Sequence, residues 1–264
     1  MHINTFDHYQ TLDSPIHRLD PRVKIVVTVL FIISNVLLPD GAWLAFALSW
    51  LFLLILSWVA HLQFRFIITR SLVALPFALA AITAVFSIPG DPVFALKVGS
   101  WTLVATNAGV VRFASIMLRS WISIQMAIIL TATTQFPDLI HALRHLKVPD
   151  ILVSTVSFMY RYLFVLSDET LRLLRAREAR SARTTGRSKT GGSILWRAKV
   201  AGNMAGQLFL RSYERSERVY NAMLARGYYG TLLTLNPHVM TDRDWLWGVL
   251  ALTVIAAIQI ISRI

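Results

Sequence analysis

Apolar residues occur in long runs along this chain, and short polar turns separate the runs. The runs that approach or exceed the length of a membrane span cover 23–38, 42–60, 72–88, 111–134 and 245–261. Turn signals such as Pro39-Asp40-Gly41 end them. The pattern predicts about five transmembrane helices, since a span needs about 17 residues or more. The less regular stretch 93–109 is expected to form an outer-surface hairpin or a partly inserted loop.

The hydropathy pattern changes after the fourth predicted span. Phe136-Pro137-Asp138 opens a short amphipathic and basic helix, a type that suits the membrane surface. Two long helices are predicted next, from about Asp150 to Arg183 and from Ile194 to Arg226, with a polar loop at 184–193 between them. Each helix has about 34 residues and is therefore about 50 Å long at about 1.5 Å per residue.

Composition supports a membrane protein with an unusual distribution of charge. The chain is 55% hydrophobic and 15% charged, with a net charge of +12, whereas soluble domains are about 25% charged. Half of its basic residues lie between Asp168 and Gly227: Arg172, Arg175, Arg177, Arg180, Arg183, Arg187, Lys189, Arg197, Lys199, Arg211, Arg215, Arg218 and Arg226. In a membrane protein the usual cause of such clustering is a cytoplasmic location rather than nucleic-acid binding. We therefore expect no nucleic-acid partner.

The positive-inside rule also fixes the predicted topology. Arg22 and Lys24 before the first span place the N-terminus inside, and four spans return the chain to the inside by Thr134. A further crossing at 151–166 would export the basic segment, so that run is expected to pack beneath the spans. The last span then places the C-terminus outside. Arg119, within the fourth span, is expected to snorkel or to bond a neighbouring helix, with a functional role as the alternative.

Residue patterns of catalysis and metal binding are absent or incomplete. The sequence contains no cysteine, which excludes disulfides and thiolate sites. The stretch 186–190 lacks the spacing of a phosphate-binding loop. His141 and His145 are four residues apart, but they have no intervening glutamate and no third ligand in sight. We expect no catalytic residue, no metal site and no cofactor.

The second long helix carries a ridge of small residues, in which Ala198, Gly202 and Gly206 recur every four residues. Small residues at this spacing allow another helix backbone to approach closely. A glycine inside a helix costs about 1 kcal/mol relative to alanine, so two of them favour a packing role. The ridge predicts that the two long helices cross near their middles.

Each long helix ends in a tripeptide with a central arginine. The residues are Ala179, Arg180 and Ser181 in the first helix and Ala225, Arg226 and Gly227 in the second. An arginine at a helix C-terminus is favoured by the helix dipole, which is the simplest interpretation. Two such motifs on sibling helices favour recognition, because small neighbours leave the guanidinium free to enter a partner's groove. Gly227 is also a suitable C-cap.

Several motifs together resemble the transmembrane (T) component of energy-coupling factor transporters, most closely the CbiQ type of cobalt importers. They are Leu19-Asp20-Pro21-Arg22-Val23-Lys24, Thr133-Thr134-Gln135-Phe136-Pro137-Asp138-Leu139, Ala142-Leu143, Val148-Pro149, Tyr160-Arg161-Tyr162 and the two arginine tripeptides. They follow the family's order over nearly the whole chain. The paired arginine tripeptides are the most specific of them. Ser181 stands where the family often has glycine, and the arginine before it is retained.

The resemblance implies a fold and a division of the chain. It implies an all-α membrane protein of about five transmembrane helices with a short amphipathic helix and two long crossed cytoplasmic coupling helices. The expected regions are an N-terminal transmembrane bundle at 1–134, a coupling-helix region at 135–227, and a linker with the last transmembrane helix at 228–264. The expected location is the bacterial cytoplasmic (inner) membrane.

The resemblance also implies a function without catalysis. Arg180 and Arg226 with their neighbours would dock onto two ABC-type ATPase subunits (CbiO-like), and the ridge Ala198, Gly202 and Gly206 would support the crossed helices. A substrate-binding membrane subunit (CbiM-like) and a small accessory membrane subunit (CbiN-like) would complete the complex. Cobalt, used in cobalamin biosynthesis, is the implied cargo, with nickel or a vitamin as open alternatives. The other functions considered are a membrane enzyme on lipid-linked substrates and a membrane-anchored binder of nucleic acid or anionic lipid.

Overall fold

The structure is a computed structural model that describes residues 9–74, 76, 81–87, 89, 91–98, 101–180, 193–230 and 240–263. In chain order the helices are α1 Pro15–Arg18, α2 Pro21–Val36, α3 Trp43–Val59, α4 Phe64–Ser71, α5 Ala84–Ser87, α6 Asn107–Thr133, α7 Phe136–His145, α8 Asp150–Arg180, α9 Ile194–Ala225 and α10 Asp242–Ile261. A 3-10 turn, Leu72–Ala74, follows α4. Strands β1 Pro92–Val98 and β2 Trp101–Thr106 lie between α5 and α6.

The chain divides into two compact units. The bundle unit comprises Asn4–Leu146 together with Pro237–Ile264, and the long-helix unit contains Lys147–Asn236. The amphipathic helix α7 therefore belongs with the bundle, where it contacts α2, although the sequence pattern grouped it with the long helices. The structure does not test the three functional regions that the sequence predicts at 1–134, 135–227 and 228–264, and they remain predictions.

Side-chain caps explain where several helices begin. The Asp20 carboxylate accepts a hydrogen bond from the Arg22 amide at 2.8 Å, and Pro21 occupies the first turn of α2. The Thr106 hydroxyl accepts from the Gly109 amide at the start of α6, and the Ser193 hydroxyl accepts from the Trp196 amide at the start of α9. The start of α10 has a capping box formed by Thr241 and Asp244. Each cap satisfies an amide that the first helical turn leaves without a partner.

Helices α2 and α6 form the centre of the bundle. Helix α2 contacts α6, α7 and α10, and α6 also contacts α3 and α4. Their shared core is apolar and includes Phe31, Phe46, Leu53, Ile122 and Ile255, all buried. Some polar groups inside this core are hydrogen-bonded between helices, which lowers the free-energy cost of burying them. The Asn35 amide, for example, donates to the Arg119 carbonyl at 3.0 Å and to the Ser123 hydroxyl at 2.9 Å.

A two-stranded antiparallel hairpin precedes α6. Strands β1 and β2 pair Lys97 with Thr102 and Val98 with Trp101, and β2 leads directly into α6 at Asn107. The hairpin interpretation of 93–109 is thus confirmed. It is the one departure from an all-helical fold among the described residues, and it moves the start of α6 four residues ahead of the predicted Val111.

Most predicted helix bounds agree with the structure. The first, second, fourth and last predicted spans correspond to α2, α3, α6 and α10, and the long helices correspond to α8 and α9. Of the third predicted span, 72–88, the structure shows the 3-10 turn and α5, and much of the rest lies outside the described residues. Together these elements confirm a predominantly helical, multi-pass membrane protein.

Length and composition alone identify three helices of the described residues that could cross a membrane: α6, α8 and α10. Helix α3 is a shorter apolar helix. Helix α8 therefore qualifies by composition, although its C-terminal half carries Arg172, Arg175, Arg177 and Arg180. Its place on the cytoplasmic side, and the total of five spans, remain predictions that follow from the distribution of charge.

Two helical glycines are expected to respond in opposite ways to a larger side chain. A Cβ at Gly248 of α10 would lie 3.1 Å from Val23 Cγ1 of α2, whereas a Cβ at Gly202 of α9 would meet nothing within 4 Å. Gly248→Leu should therefore destabilise the protein by about 1–3 kcal/mol through overpacking. Gly202→Ala should stabilise its helix by about 1 kcal/mol. Thermal unfolding of the purified protein in detergent measures both, and an unchanged midpoint for Gly248→Leu would contradict the close approach of α10 to α2.

Candidate functional site

Arg180 is the last residue of α8, and its surroundings are open. Ala179 and Arg180 are both exposed, as are Arg175 and Arg177 one turn earlier. Within the described residues, no hydrogen bond or ion pair engages the Arg180 guanidinium. Ser181 lies outside the described residues. Within the described part of the chain, the Arg180 guanidinium and its N–H donors are therefore open to an external partner.

Arg226 follows the last turn of α9, and a glycine-based cap fixes its position. Gly227 has a φ of 80°, its amide donates to the Leu224 carbonyl, and the Tyr228 amide donates to the Met223 carbonyl, both at 3.0 Å. This pair of bonds is a Schellman motif, so the C-cap prediction for Gly227 is confirmed. Ala225, Arg226 and Gly227 are all exposed.

The two arginines share one chemical character. Like Arg180, Arg226 has no side-chain partner among the residues that the structure describes. A planar guanidinium at the end of a rigid helix can donate to backbone carbonyls or to a carboxylate in a groove, and bidentate contacts of this kind are geometrically specific. The small neighbours Ala179, Ala225 and Gly227 leave room around both side chains. The arrangement is suited to recognition.

The contact between α8 and α9 differs from the predicted one. The two helices meet along their central parts, where Glu169 of α8 accepts a hydrogen bond from Arg211 of α9 at 2.6 Å. The expected ridge is not at this contact. A Cβ at Gly202 or Gly206 would meet nothing within 4 Å, and Ala198 is exposed. The prediction that the ridge packs against the other long helix of this chain is therefore wrong for the described residues.

The ridge is part of a longer apolar stripe that the sequence reasoning missed. Exposed apolar side chains continue the face of Gly202 and Gly206 in both directions, at Leu195, Phe209, Tyr213, Tyr220 and Leu224. Consecutive members are separated by three, four or seven residues, so they lie on one side of α9. Lys199 and Glu217 border the stripe. This spacing is visible in the sequence, but only the structure shows that α8 leaves the stripe uncovered.

A second cluster joins the helix ends at one end of the bundle. The Lys24 ammonium donates to the carbonyls of His17 and Thr133, both at 3.1 Å, and Lys24 is buried. The Asp20 amide donates to Asp244 Oδ1 at 3.0 Å. Burial, followed by the nearby Lys24 charge, lowers the pKa of the His17 imidazole. The start of α2, the end of α6 and the start of α10 thus meet, as the predicted topology requires.

This cluster accounts for two of the motifs quoted above. Asp20 and Lys24 come from Leu19–Lys24, and Thr133 opens the stretch that continues into α7. The motifs are far apart in sequence and adjacent in the bundle. Their positions indicate a structural role: they fix helix ends rather than bind a substrate.

Arg119 forms the matching contact at the other end of α2. Its guanidinium donates to the Leu38 carbonyl and to Asp40 Oδ1, the latter at 2.7 Å. Arg112 lies 3.8 Å from the same carboxylate. The expectation that Arg119 bonds a neighbouring element is confirmed, since Leu38 and Asp40 belong to the turn after α2.

The two histidines of α7 lie close together without forming a recognisable metal site. The His141 and His145 rings are 4.7 Å apart between centroids and nearly perpendicular. The described part of the chain contains no group of three or more His, Asp or Glu side chains that could hold a metal ion. Burial, followed by the neighbouring Arg22 and Arg144, lowers the pKa of His145.

This chain is similar to known membrane-transport proteins. The family described as "CbiQ: Cobalt transport protein" matches residues 13–239. The energy-coupling factor transporter transmembrane protein EcfT of Clostridium kluyveri is 29% identical over 275 residues, covering 98% of this chain and 97% of that protein. EcfT of Listeria innocua is 30% identical over 226 residues, covering 83% and 82%. An uncharacterized protein of Methanocaldococcus jannaschii is 25% identical over 262 residues, covering 98% and 86%.

Replacing Gly227 should loosen the end of α9 that carries Arg226. Gly227→Ala puts a Cβ at a φ of 80°, which costs about 1–2 kcal/mol. The amides of residues 227 and 228 should then exchange their hydrogens about 5–30 times faster. Hydrogen–deuterium exchange measures this change. Gly206→Ala is the matched control in a regular helix, and an equal acceleration in both variants would contradict the role of the cap.

Proposed function

We propose that this chain couples ATP-driven motion to substrate release in an energy-coupling factor transporter. The premise is that the chain belongs to the CbiQ cobalt transport protein family. It is a multi-pass membrane component of that transporter class. The finer proposal is that α8 and α9 receive motion from two cytoplasmic ABC-type ATPases and pass it to a separate substrate-binding membrane subunit. The subunit itself performs no catalysis.

The observation that carries this proposal is the pair of exposed arginines at the ends of two long helices. Arg180 and Arg226 each end a helix of about 30 residues, which is about 45 Å long. A helix of this length moves as a rigid rod, so a displacement at its tip reaches its far end. Two tips of the same chemistry are suited to two ATPase subunits of the same kind. We assign Ala179, Arg180 and Ser181 to one docking site and Ala225, Arg226 and Gly227 to the other.

The apolar stripe of α9 is the proposed docking surface for the substrate-binding subunit. Gly202 and Gly206 lie at its centre, and a partner helix could approach their backbone closely because no side chain is in the way. Phe209 and Tyr213 beside them supply apolar contact area. In this proposal Ala198, Gly202 and Gly206 keep the packing role that the sequence indicated, with a helix of another chain in place of α8.

The remaining partners and the cargo follow from the family. The ATPases would be CbiO-like, the substrate-binding subunit CbiM-like, and a small CbiN-like membrane subunit would accompany it. The family description supports cobalt as the cargo, and import of cobalt would supply cobalamin biosynthesis. The relatives named EcfT belong to the same transporter class without a cargo in their names.

Charge reversal at the helix tips should abolish ATPase docking. Arg180→Glu or Arg226→Glu replaces a five-donor cation with an anion that the same groove repels, so the amount of copurifying ATPase should fall more than ten-fold. Co²⁺ uptake by cells expressing the whole transporter should be lost as well, with Ni²⁺ uptake measured in parallel.

Control variants separate specific docking from bulk charge. Arg187→Glu and Lys189→Glu change the net charge by the same amount between the long helices in sequence, and Arg175→Glu changes it on the exposed surface of α8. These three should reduce ATPase recovery less than two-fold. Equal losses in all five variants would reject docking through Arg180 and Arg226.

Filling the glycine ridge should release the substrate-binding subunit without weakening this chain. Gly202→Leu and Gly206→Leu add a large side chain where a partner helix would approach, while leucine is the better helix former. The ATPases should still copurify, and the recovered substrate-binding subunit should fall at least ten-fold. Asn203→Leu, at an exposed position off the stripe, is the matched control. Full recovery of the partner with both glycine variants would exclude the ridge as its docking surface.

A further inference from the structure

The contact between α8 and α9 contains an ion pair that connects the two helices. Arg211 Nη1 lies 2.6 Å from Glu169 Oε1. The Glu169 side chain is 14% exposed and the Arg211 side chain is 56% exposed, so the carboxylate is held inside the contact while the guanidinium reaches it from the surface. Arg172, on the same helix as Glu169 and with its side chain 76% exposed, lies 3.5 Å from the other carboxylate oxygen.

A surface cavity lies beside this ion pair. It has a volume of about 360 Å³ and is open to the outside between α8 and α9, and Glu169 and Arg211 line it with Phe158, Tyr162 and Leu208. Side chains do not fill this space, so the helices have room to move relative to each other beside the pair. The ion pair is a short, directional connection between the helices at the edge of this space.

We propose that Glu169 and Arg211 are positioning residues of the coupling step and act as a pivot between the two long helices. One short contact fixes a point on each helix but leaves their crossing angle free, and the cavity provides the space that a change of angle needs. This inference rests on the proposed function, because it concerns how the two ATPase-driven helices move relative to each other. The pivot keeps the helices together while their tips separate or approach.

The native sequence allows a direct measurement of this motion because it contains no cysteine. Spin labels at Arg177→Cys on α8 and Asn221→Cys on α9, both at exposed positions, report the distance between the helices in the complex assembled with its ATPases. With the native pair, the distance distribution should shift between the nucleotide-free and ATP-bound complex. With Glu169→Arg or Arg211→Glu, it should at least double in width and lose the ATP-dependent shift.

Exchange of the two charges provides the decisive variant. The double variant Glu169→Arg/Arg211→Glu restores an ion pair in reverse, so the width should return to within about 1.5-fold of native and the ATP-dependent shift should reappear. Arg172→Ala is the matched control, since it removes a neighbour of Glu169 without breaking the link to α9, and it should leave both quantities unchanged. Glu169→Gln, which preserves shape but not charge, should broaden the distribution and is available if a charge reversal prevents assembly.

Three results would overturn the pivot. They are a native width and shift in the single variants, no recovery in the double variant, and loss of assembled complex in parallel with the broadening for Glu169→Gln. The last would mean that the pair only stabilises the fold. The Arg180→Glu variant separates a failure of the pivot from a failure of the proposed function. If Arg180→Glu abolishes ATPase docking while the Glu169 variants behave as native, only the pivot is rejected.

Discussion

The buried ammonium of Lys24 is the constraint on which the bundle depends. A charge held away from water must be hydrogen-bonded, and Lys24 meets this requirement with the carbonyls of His17 and Thr133. Those bonds exist only when the start of α2 lies beside the end of α6. The bond from the Asp20 amide to Asp244 brings the start of α10 to the same place. One set of polar contacts thus fixes three helix ends that hydrophobic packing alone would allow to slide, since apolar contacts have no direction.

At the opposite end of α2, Arg119 has the corresponding effect. It connects α6 to the turn after α2 through Leu38 and Asp40. Helix α2 is therefore attached at both ends, and its apolar middle packs through Phe31 and its neighbours. Such a bundle is rigid where it is tied. The long-helix unit has a different character, with an ion pair and a surface cavity at its central contact. In the proposed coupling step, this contact is where the two long helices change their angle.

Local signals in the sequence predicted local structure well. The C-cap Gly227, the proline in the first turn of α7 and the lengths of apolar runs placed most helices within a few residues, because each signal acts on the nearest turn of backbone. The exposed arginines Arg180 and Arg226 were also found this way. The hairpin was expected only in outline, since 93–109 is neither clearly apolar nor clearly alternating.

Contacts between distant residues could not be predicted in the same way. The small-residue ridge predicted the close approach of another helix, but spacing does not say which helix that is, and α8 does not approach Gly202 or Gly206. The pairing of charges was equally undetermined by spacing: in the structure Arg172 contacts Glu169, which also binds Arg211 of the other long helix. Such choices depend on which side chains share a buried environment, and that is a property of the folded chain.

The uncovered apolar stripe of α9 has a consequence for the amount of this protein that a cell can maintain in its folded form. Phe209, Tyr213 and Tyr220 are more than half exposed on a single helical face, a pattern that promotes aggregation when no partner covers it. Copies made in excess of their partners would carry this face unprotected, and quality-control proteases act on such surfaces. With the proposed substrate-binding subunit as the cover of this stripe, the abundance of the chain should therefore follow the abundance of that partner.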